Sequence, residues 1–204
     1  MEQITFQNSF KTEILSTGTR ILRPREFKQL LEGCPKIEMK NLLHTLLFTG
    51  MKYTELLKLH KNPEWFNREF IHIPNIPSEN RKSQVERWVN LTPAGKIVVE
   101  YFLHYNKKTL PSYQSWVENL KCWARRANIS NVGLNTKTTR KTWESWLMFY
   151  YPHLMLPIIK SQGHNVLSAI RYSLNLPFTE KDRFEMREFV EGWYPQGEQL
   201  DLLR

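Results

Sequence analysis

A chain of 204 residues with 41% hydrophobic residues is long enough for one well-packed domain, and its 7 Trp, 8 Tyr and 11 Phe exclude a disordered chain. Its 29 Lys and Arg outnumber its 20 Asp and Glu, for a net charge of +9, which favours a polyanionic partner such as nucleic acid. No stretch reaches the ~18 consecutive apolar residues of a membrane span, and the N-terminus lacks a signal peptide. We therefore expect a cytoplasmic protein that does not bind membranes.

The two cysteines, Cys34 and Cys122, lie far apart and match no metal-ligand spacing. We predict that both are reduced thiols in or near the core, as in an intracellular protein, and we predict no metal site. His44 lies in the apolar segment N-L-L-H-T-L-L-F-T-G without a second ligand at metal-binding spacing. We interpret it as a core or boundary histidine.

The N-terminal half begins with polar residues 1–23, which we predict to be a leader or short extension. A helix is then predicted from Pro24, which suits a first helical turn, to Gly33. A second, strongly apolar helix starts near Ile37 and is broken at Gly50, after which helical periodicity resumes. This places Lys52 in the first turn of a third helix, where its backbone is expected to approach a phosphate.

Residues 62–91 change to an alternating pattern, F-I-H-I-P and R-W-V-N-L around a polar turn, which predicts a small antiparallel hairpin. Arg81 and Lys82 are expected near its tip. A helix capped by Thr92 follows, and another is predicted from Ser112 to Ala127. Its Arg125-Arg126 end is a candidate DNA-backbone contact, although a solvated helix end is the commoner arrangement.

The C-terminal half begins with a predicted helix over residues 136–151. Lys137 and Arg140 are three residues apart on it, so we expect them to share a face. Pro152 and Pro157 bracket a shorter helical segment that ends at Gly163. His164 follows that glycine, and Tyr172 lies in the next brief segment.

A final amphipathic helix is predicted after Tyr172, with Thr179 as its cap and with Phe184 and Val190 on one face. Residues 24–193 are predicted to form the domain, and 194–204 a C-terminal tail. The predicted fold class is mainly α with a small antiparallel β-sheet, an α+β arrangement.

Two N-terminal motifs carry the first part of a family resemblance. T-G-M-K-Y-T-E-L-L resembles the T-G-x-R-x-x-E-L segment of the tyrosine recombinases, the phage-integrase family. Lys52 stands at the position of that arginine, and Glu55 matches the acidic position. The hairpin segment R-K-S-Q-V-E-R-W-V-N-L resembles the lysine-bearing hairpin of the same family, and Lys82 matches its lysine.

Two C-terminal motifs complete the resemblance, in the order that the family has. T-K-T-T-R-K-T-W resembles its H/K-x-x-R box, so that Lys137 and Arg140 match the two members. S-Q-G-H-N-V-L-S-A-I-R-Y resembles its L-G-H motif and nucleophilic tyrosine, and places His164 and Tyr172. The similarity covers residues 24–193, and within the family the sequence is most similar to integrases of archaeal viruses and plasmids.

The resemblance implies a catalytic-domain fold of the tyrosine recombinase type and DNA strand exchange without a metal or other cofactor. Tyr172 would attack the scissile phosphate to form a 3′-phosphotyrosyl link. Lys82 would protonate the leaving oxygen as general acid. Lys52 and Arg140 would hold the non-bridging oxygens, and Lys137 and His164 would add further donors. Lys141, Arg81, Arg125 and Arg126 are the candidate DNA contacts, and the family implies tetramers on double-stranded DNA.

Other interpretations of the same residues stay open. Tyr172 can be a core tyrosine, His164 a packing residue, and the cations near Arg140 a solvated helix face. Lysine at 52 offers one point charge where arginine offers a planar fork, so cleavage is expected to be slow or absent. The alternatives are a catalytically silent, recombinase-derived DNA-binding protein and a type IB topoisomerase-like nicking-closing enzyme.

Overall fold

The computed structural model describes residues 14–15, 18–75, 86–106, 108–163 and 176–195. The described residues form helices and two strands, and the prediction of a mainly helical chain with a small antiparallel sheet is confirmed. In chain order the elements are α1 (Pro24–Gly33), α2 (Ile37–Thr49), α3 (Tyr53–Lys61), β1 (Phe70–Ile73), β2 (Arg87–Asn90), α4 (Pro93–Tyr105), α5 (Tyr113–Arg126), α6 (Thr138–Tyr150), α7 (Met155–Gln162) and α8 (Glu180–Val190). Short 3₁₀ turns span Pro63–Trp65 and Pro152–Leu154.

Local chemistry accounts for several helix ends. Pro24 occupies the first position of α1, where its missing N–H costs no hydrogen bond. Gly50 ends α2 in the left-handed conformation (φ +57°), which glycine adopts without strain. The Thr92 and Thr179 side chains cap α4 and α8 by accepting from the amides of Gly95 and Asp182. The predicted starts of α1, α4 and α8 are therefore confirmed.

The core lies where α2 and α6 pack together, with α4 against α2 and α8 against α6. Trp143 and Trp146 of α6 are fully buried there. The indole Nε1 of Trp146 donates to the carbonyl oxygen of Leu22 at 2.9 Å, which satisfies its buried N–H. Phe27 and Phe189 pack against Trp146 from α1 and α8. One core thus joins both ends of the described chain.

Residues just before α1 belong to this core. Thr19, Arg20, Ile21 and Leu22 are all buried. The Arg20 guanidinium donates to the backbone oxygen of Ser130 and pairs with Glu26. The domain therefore includes residues that precede Pro24, the predicted boundary.

The α8 prediction needs one correction. The apolar face of α8 consists of Met186, Phe189 and Val190, all buried, whereas Phe184 is 77% exposed. Successive helical residues are 100° apart, so Phe184 lies about 200° from Met186 and points away from the core. The prediction that Phe184 and Val190 share a face was wrong.

The smaller predictions about cysteine and histidine agree with the structure. Cys34 and Cys122 are free, and Cys34 is buried. His44 lies between the rings of Phe27 and Phe48, and burial lowers its pKa, followed in effect by the charge of Lys40. Within the described residues, no cluster of His, Cys, Asp and Glu has the composition to hold a metal ion, and no helix is long and apolar enough to span a membrane.

The two strands form an antiparallel ladder in which Ile73 is opposite Arg87 and Phe70 is opposite Asn90. Ile71, Ile73 and Val89 face the core. Side chains alternate across a strand, so Arg87 shares the inward face with Val89 and is itself buried. This register places Arg87 beside the start of α3 and the end of α7.

Candidate functional site

The structure describes part of the predicted site. Four of the predicted residues lie outside the described residues: Arg81, Lys82, His164 and Tyr172. The described ones are Lys52, Glu55, Arg125, Arg126, Lys137, Arg140 and Lys141. Three of these, Lys52, Glu55 and Arg140, come together where α2 ends, α3 begins and α6 begins.

Lys52 is the N-cap residue of α3, one position before the helix. Its backbone N–H donates to Oε2 of Glu55 at 2.8 Å, so the chain itself occupies this donor. This intramolecular bond argues against the predicted approach of the Lys52 backbone to a phosphate, which stays a prediction. The side chain is 59% exposed, and its Nζ lies 3.8 Å from Oε1 of Glu55. Lys52 thus presents its ammonium group to solvent, whereas its amide is bonded within the chain.

Glu55 is a buried carboxylate that lies close to three cationic side chains. Arg87 binds it through both terminal nitrogens, with Nη1 donating to Oε1 at 3.0 Å and Nη2 donating to Oε2 at 2.7 Å. Nη1 of Arg140 lies 4.0 Å from Oε2, and Lys52 approaches from the solvent side. The side chain of Glu55 is only 4% exposed. A bidentate arginine contact of this kind is among the strongest hydrogen-bonded pairs.

Sequence analysis missed Arg87. Its signal was present in the strand R-W-V-N, because an arginine in register with an inward-facing valine must be buried and therefore needs a carboxylate partner. The motif comparison drew attention to Lys82 of the same segment and passed over Arg87. The partner, Glu55, is 32 residues away in sequence.

Arg140 lies in the first turn of α6 and is almost completely buried, with 4% of its side chain exposed. Its Nη1 donates to the carbonyl oxygen of Gly50 at 2.9 Å, and its Nη2 donates to the carbonyl oxygen of Gln162. A Cβ on Gly50 would overlap Gln162 and lie 2.7 Å from Cδ1 of Trp143. Glycine at position 50 therefore allows the ends of α2 and α7 to close around the guanidinium.

Electrostatics at this cluster follow from burial and from the surplus of cations. Desolvation opposes ionisation of Glu55 most strongly, but hydrogen bonds and charges from Arg87, the charge of Arg140 and the Lys52 amide together lower its pKa. Desolvation lowers the pKa of Lys52, an effect opposed by Glu55 and reinforced by the two arginines. Desolvation likewise lowers the pKa of Arg140 to about 10, so it stays charged at neutral pH. The cluster carries three positive charges and one negative charge.

Lys137 is placed differently from Arg140. It is the N-cap of α6, its side chain is exposed, and its backbone N–H donates to Oδ1 of Asn135 at 2.8 Å. The shared-face argument therefore brings only Arg140 into the buried cluster. Lys137 presents its charge to solvent at the start of the same helix.

The predicted DNA contacts also differ in accessibility. Nζ of Lys141 donates to Oε2 of Glu144 at 2.8 Å, and the Lys141 side chain is 12% exposed. A lysine held in this way contributes to packing more than to an outer surface. Arg125 and Arg126 are exposed in the last turn of α5, where cations also complement the helix dipole.

The charges of the cluster suit one bound anion. An exposed ammonium lies beside a buried, preoriented guanidinium, and a second guanidinium holds the intervening carboxylate. Such fixed cations stabilise negative charge on phosphate oxygens without reorganising. Searches against protein-family models, curated proteins and solved structures found no match to this chain.

Proposed function

We propose that this protein binds double-stranded DNA and breaks and rejoins its strands through a 3′-phosphotyrosyl intermediate, as a site-specific recombinase or integrase. One observation carries the proposal: Arg140 is far in sequence from Lys52 and Glu55, and the three residues meet in one cationic cluster. These are the positions that the recombinase motifs single out. The net charge of +9 agrees with a DNA partner.

In this proposal the described cations hold the phosphate. Lys52 contacts a non-bridging oxygen from the solvent side, and Arg140 stabilises the charge from beneath it. Glu55 keeps the two cations close together without touching the DNA. The cluster binds the scissile phosphate most tightly when its charge rises, in the transition state.

The reacting groups in this proposal are Tyr172, Lys82 and His164. Tyr172 loses its phenolic proton to solvent, and its oxygen forms a bond to phosphorus as the bond from phosphorus to the 5′ oxygen breaks. Lys82 supplies a proton to that oxygen, and His164 and Lys137 donate to the phosphate. The ester keeps the bond energy, so a second 5′-hydroxyl can reverse the step on another strand. Recombination of this kind requires self-association on DNA, which we expect as a tetramer.

A second candidate function is DNA binding without cleavage. Arg140 has 4% of its side chain exposed and donates to two backbone carbonyl oxygens, so part of its donor capacity stabilises the fold. Lys52 presents one point charge where an arginine would grip two oxygens. Both observations favour a slow or silent site.

A nicked duplex oligonucleotide separates the candidates. It loses a short 5′-hydroxyl fragment after attack, which traps the covalent complex. Adduct formed by the native protein and absent in Tyr172→Phe supports strand cleavage. Gel-shift binding by both proteins without adduct supports the silent DNA-binding protein. Relaxation of a supercoiled plasmid by monomers indicates a topoisomerase-like enzyme, and no binding at low salt contradicts all three.

A further inference from the structure

The guanidinium group of Arg87 is buried, and all three of its nitrogens donate hydrogen bonds to other residues of the protein. Arg87 lies on β2, with Nη1 and Nη2 donating to the carboxylate of Glu55 in α3 and with Nε donating to the carbonyl oxygen of Ser161 in α7 at 3.2 Å. Its side chain is 7% exposed. One side chain therefore connects three elements around the cationic cluster.

Contacts around Arg87 restrict its aliphatic chain as well as its guanidinium group. Gly163, which ends α7 with φ +63°, lies so close that an added Cβ would be 2.8 Å from Cδ of Arg87. The amide of Asn90 donates to Oγ of Ser161 at 3.0 Å, which ties β2 to α7 a second time. These contacts hold the guanidinium in its observed position.

That position determines the orientation of Glu55. The terminal torsion of a glutamate is soft, so a single contact would leave the carboxylate free to rotate. Two parallel hydrogen bonds from Arg87 fix its plane. In that plane Oε2 also accepts a hydrogen bond from the Lys52 amide at 2.8 Å and lies 4.0 Å from Nη1 of Arg140.

We propose that Arg87 is a positioning residue, which acts through Glu55 to hold Lys52 and Arg140 in the geometry that binds a single phosphate group. The expected change in the rate of adduct formation rests on the proposed function, whereas the expected change in amide exchange does not. Arg87 itself does not contact the DNA, because its donors point at Glu55 and Ser161.

The test compares Arg87→Met with a matched control, Arg23→Met. Arg23 also forms a largely buried ion pair, with Asp182, but it does so between α1 and α8. Two quantities are measured for each variant: the rate of covalent adduct formation on nicked DNA at saturating protein, and the hydrogen-exchange rate of the Lys52 backbone amide. The second quantity needs no catalytic activity.

For Arg87→Met we expect adduct formation to slow by about 10-fold to 100-fold, because small misplacements of catalytic groups have large effects on rate. We expect the Lys52 amide to exchange about fivefold faster, since it loses an oriented acceptor. After correction for any change in the overall stability of the variant, Arg23→Met should change neither quantity by more than about twofold. Equal effects in the two variants, or an unchanged Lys52 amide in Arg87→Met, would overturn the inference.

Two further results keep the inference separate from folding and from the proposed function. If Arg87→Met does not fold, Arg87→Lys decides, because it keeps the charge and loses the bidentate fork. Full native rate and native amide protection in Arg87→Lys would overturn the inference. If the native protein forms no adduct, the cleavage proposal fails, and the Lys52 exchange rate still decides the role of Arg87.

Discussion

Replacing Glu55 by glutamine tests the central electrostatic feature of the fold. The substitution keeps the size of the side chain, removes its negative charge and turns one acceptor oxygen into an N–H donor. Arg87 and Arg140, with 7% and 4% of their side chains exposed, then share the cluster without the Glu55 carboxylate, although the charge of Glu144 still acts on Arg140. The new amide group also faces a donor of Arg87 where an acceptor was before.

The size of the effect follows from these contacts. Removing one partner of a buried ion pair costs about 3–5 kcal/mol of stability, because the remaining charge stays buried. Glutamine keeps one carbonyl oxygen for Arg87, so the lower end, about 3 kcal/mol, is expected for Glu55→Gln. For a domain of this length each 1 kcal/mol shifts the Tm by roughly 2–4 °C, so the Tm should fall by roughly 6–12 °C.

The assay is equilibrium urea unfolding followed by tryptophan fluorescence, with calorimetry for the Tm. The buried Trp143 and Trp146 give a core signal. Glu188→Gln is the matched control, because Glu188 pairs with Lys28 at the surface with both side chains about half exposed. Loss of that pair should change stability by no more than about 0.5 kcal/mol.

A clear result would refute the reasoning. If Glu55→Gln lowers the free energy of unfolding by less than about 1 kcal/mol, the two buried arginines are compensated by other groups. The carboxylate would then not be the group that holds the cluster together. A changed denaturant slope would instead indicate an altered denatured state, and the comparison with Glu188→Gln identifies that case.

Three further predictions concern the same cluster. Lys52→Arg should raise the yield of covalent adduct on nicked DNA, since a guanidinium can grip two phosphate oxygens; an unchanged yield would count against the phosphate contact. Because the folded state lowers the pKa of Glu55 below its ordinary 4.5, its contribution to stability is complete above pH 4.5 and is lost as the pH falls through the lower, folded pKa. The acid limb of a stability–pH curve should therefore flatten in Glu55→Gln, and an identical limb in both proteins would contradict the assignment. Gly163→Ala should destabilise the protein by about 1–3 kcal/mol, because Gly163 has a positive φ and an added Cβ would also meet Arg87. Gly18 has φ +74° and open space around it, so Gly18→Ala isolates the backbone contribution in urea unfolding.

Local signals were sufficient for the helices and the hairpin. Pro24 and Thr179 mark helix starts through their own geometry, and the alternation of F-I-H-I and R-W-V-N reflects strands with one buried face. These features depend on neighbours within a few residues, which a sequence displays directly. Phe184 was misplaced because a loose amphipathic pattern does not identify which of two faces meets the core.

The site was predicted only in part, since its contacts are long-range. Motif order indicated Lys52, Glu55 and Arg140, and the structure brings these three together. The bidentate pair of Arg87 with Glu55 depends on how separate elements dock, whereas the bond from the Lys52 amide to Glu55 is a local contact between residues three apart, which the sequence analysis overlooked. The roles of Lys82, His164 and Tyr172 stay predictions.

The sequence by itself determined the helical class, the position of the hairpin and the identity of the cations, because periodicity, caps and residue type act locally. Only the tertiary structure decided which cations are buried and which reach solvent. Arg140 and Lys137 stand three residues apart, yet one is enclosed by Gly50 and Gln162 and the other is exposed. The physical reason is that burial of a charge depends on partners from other elements, and those partners are chosen by packing.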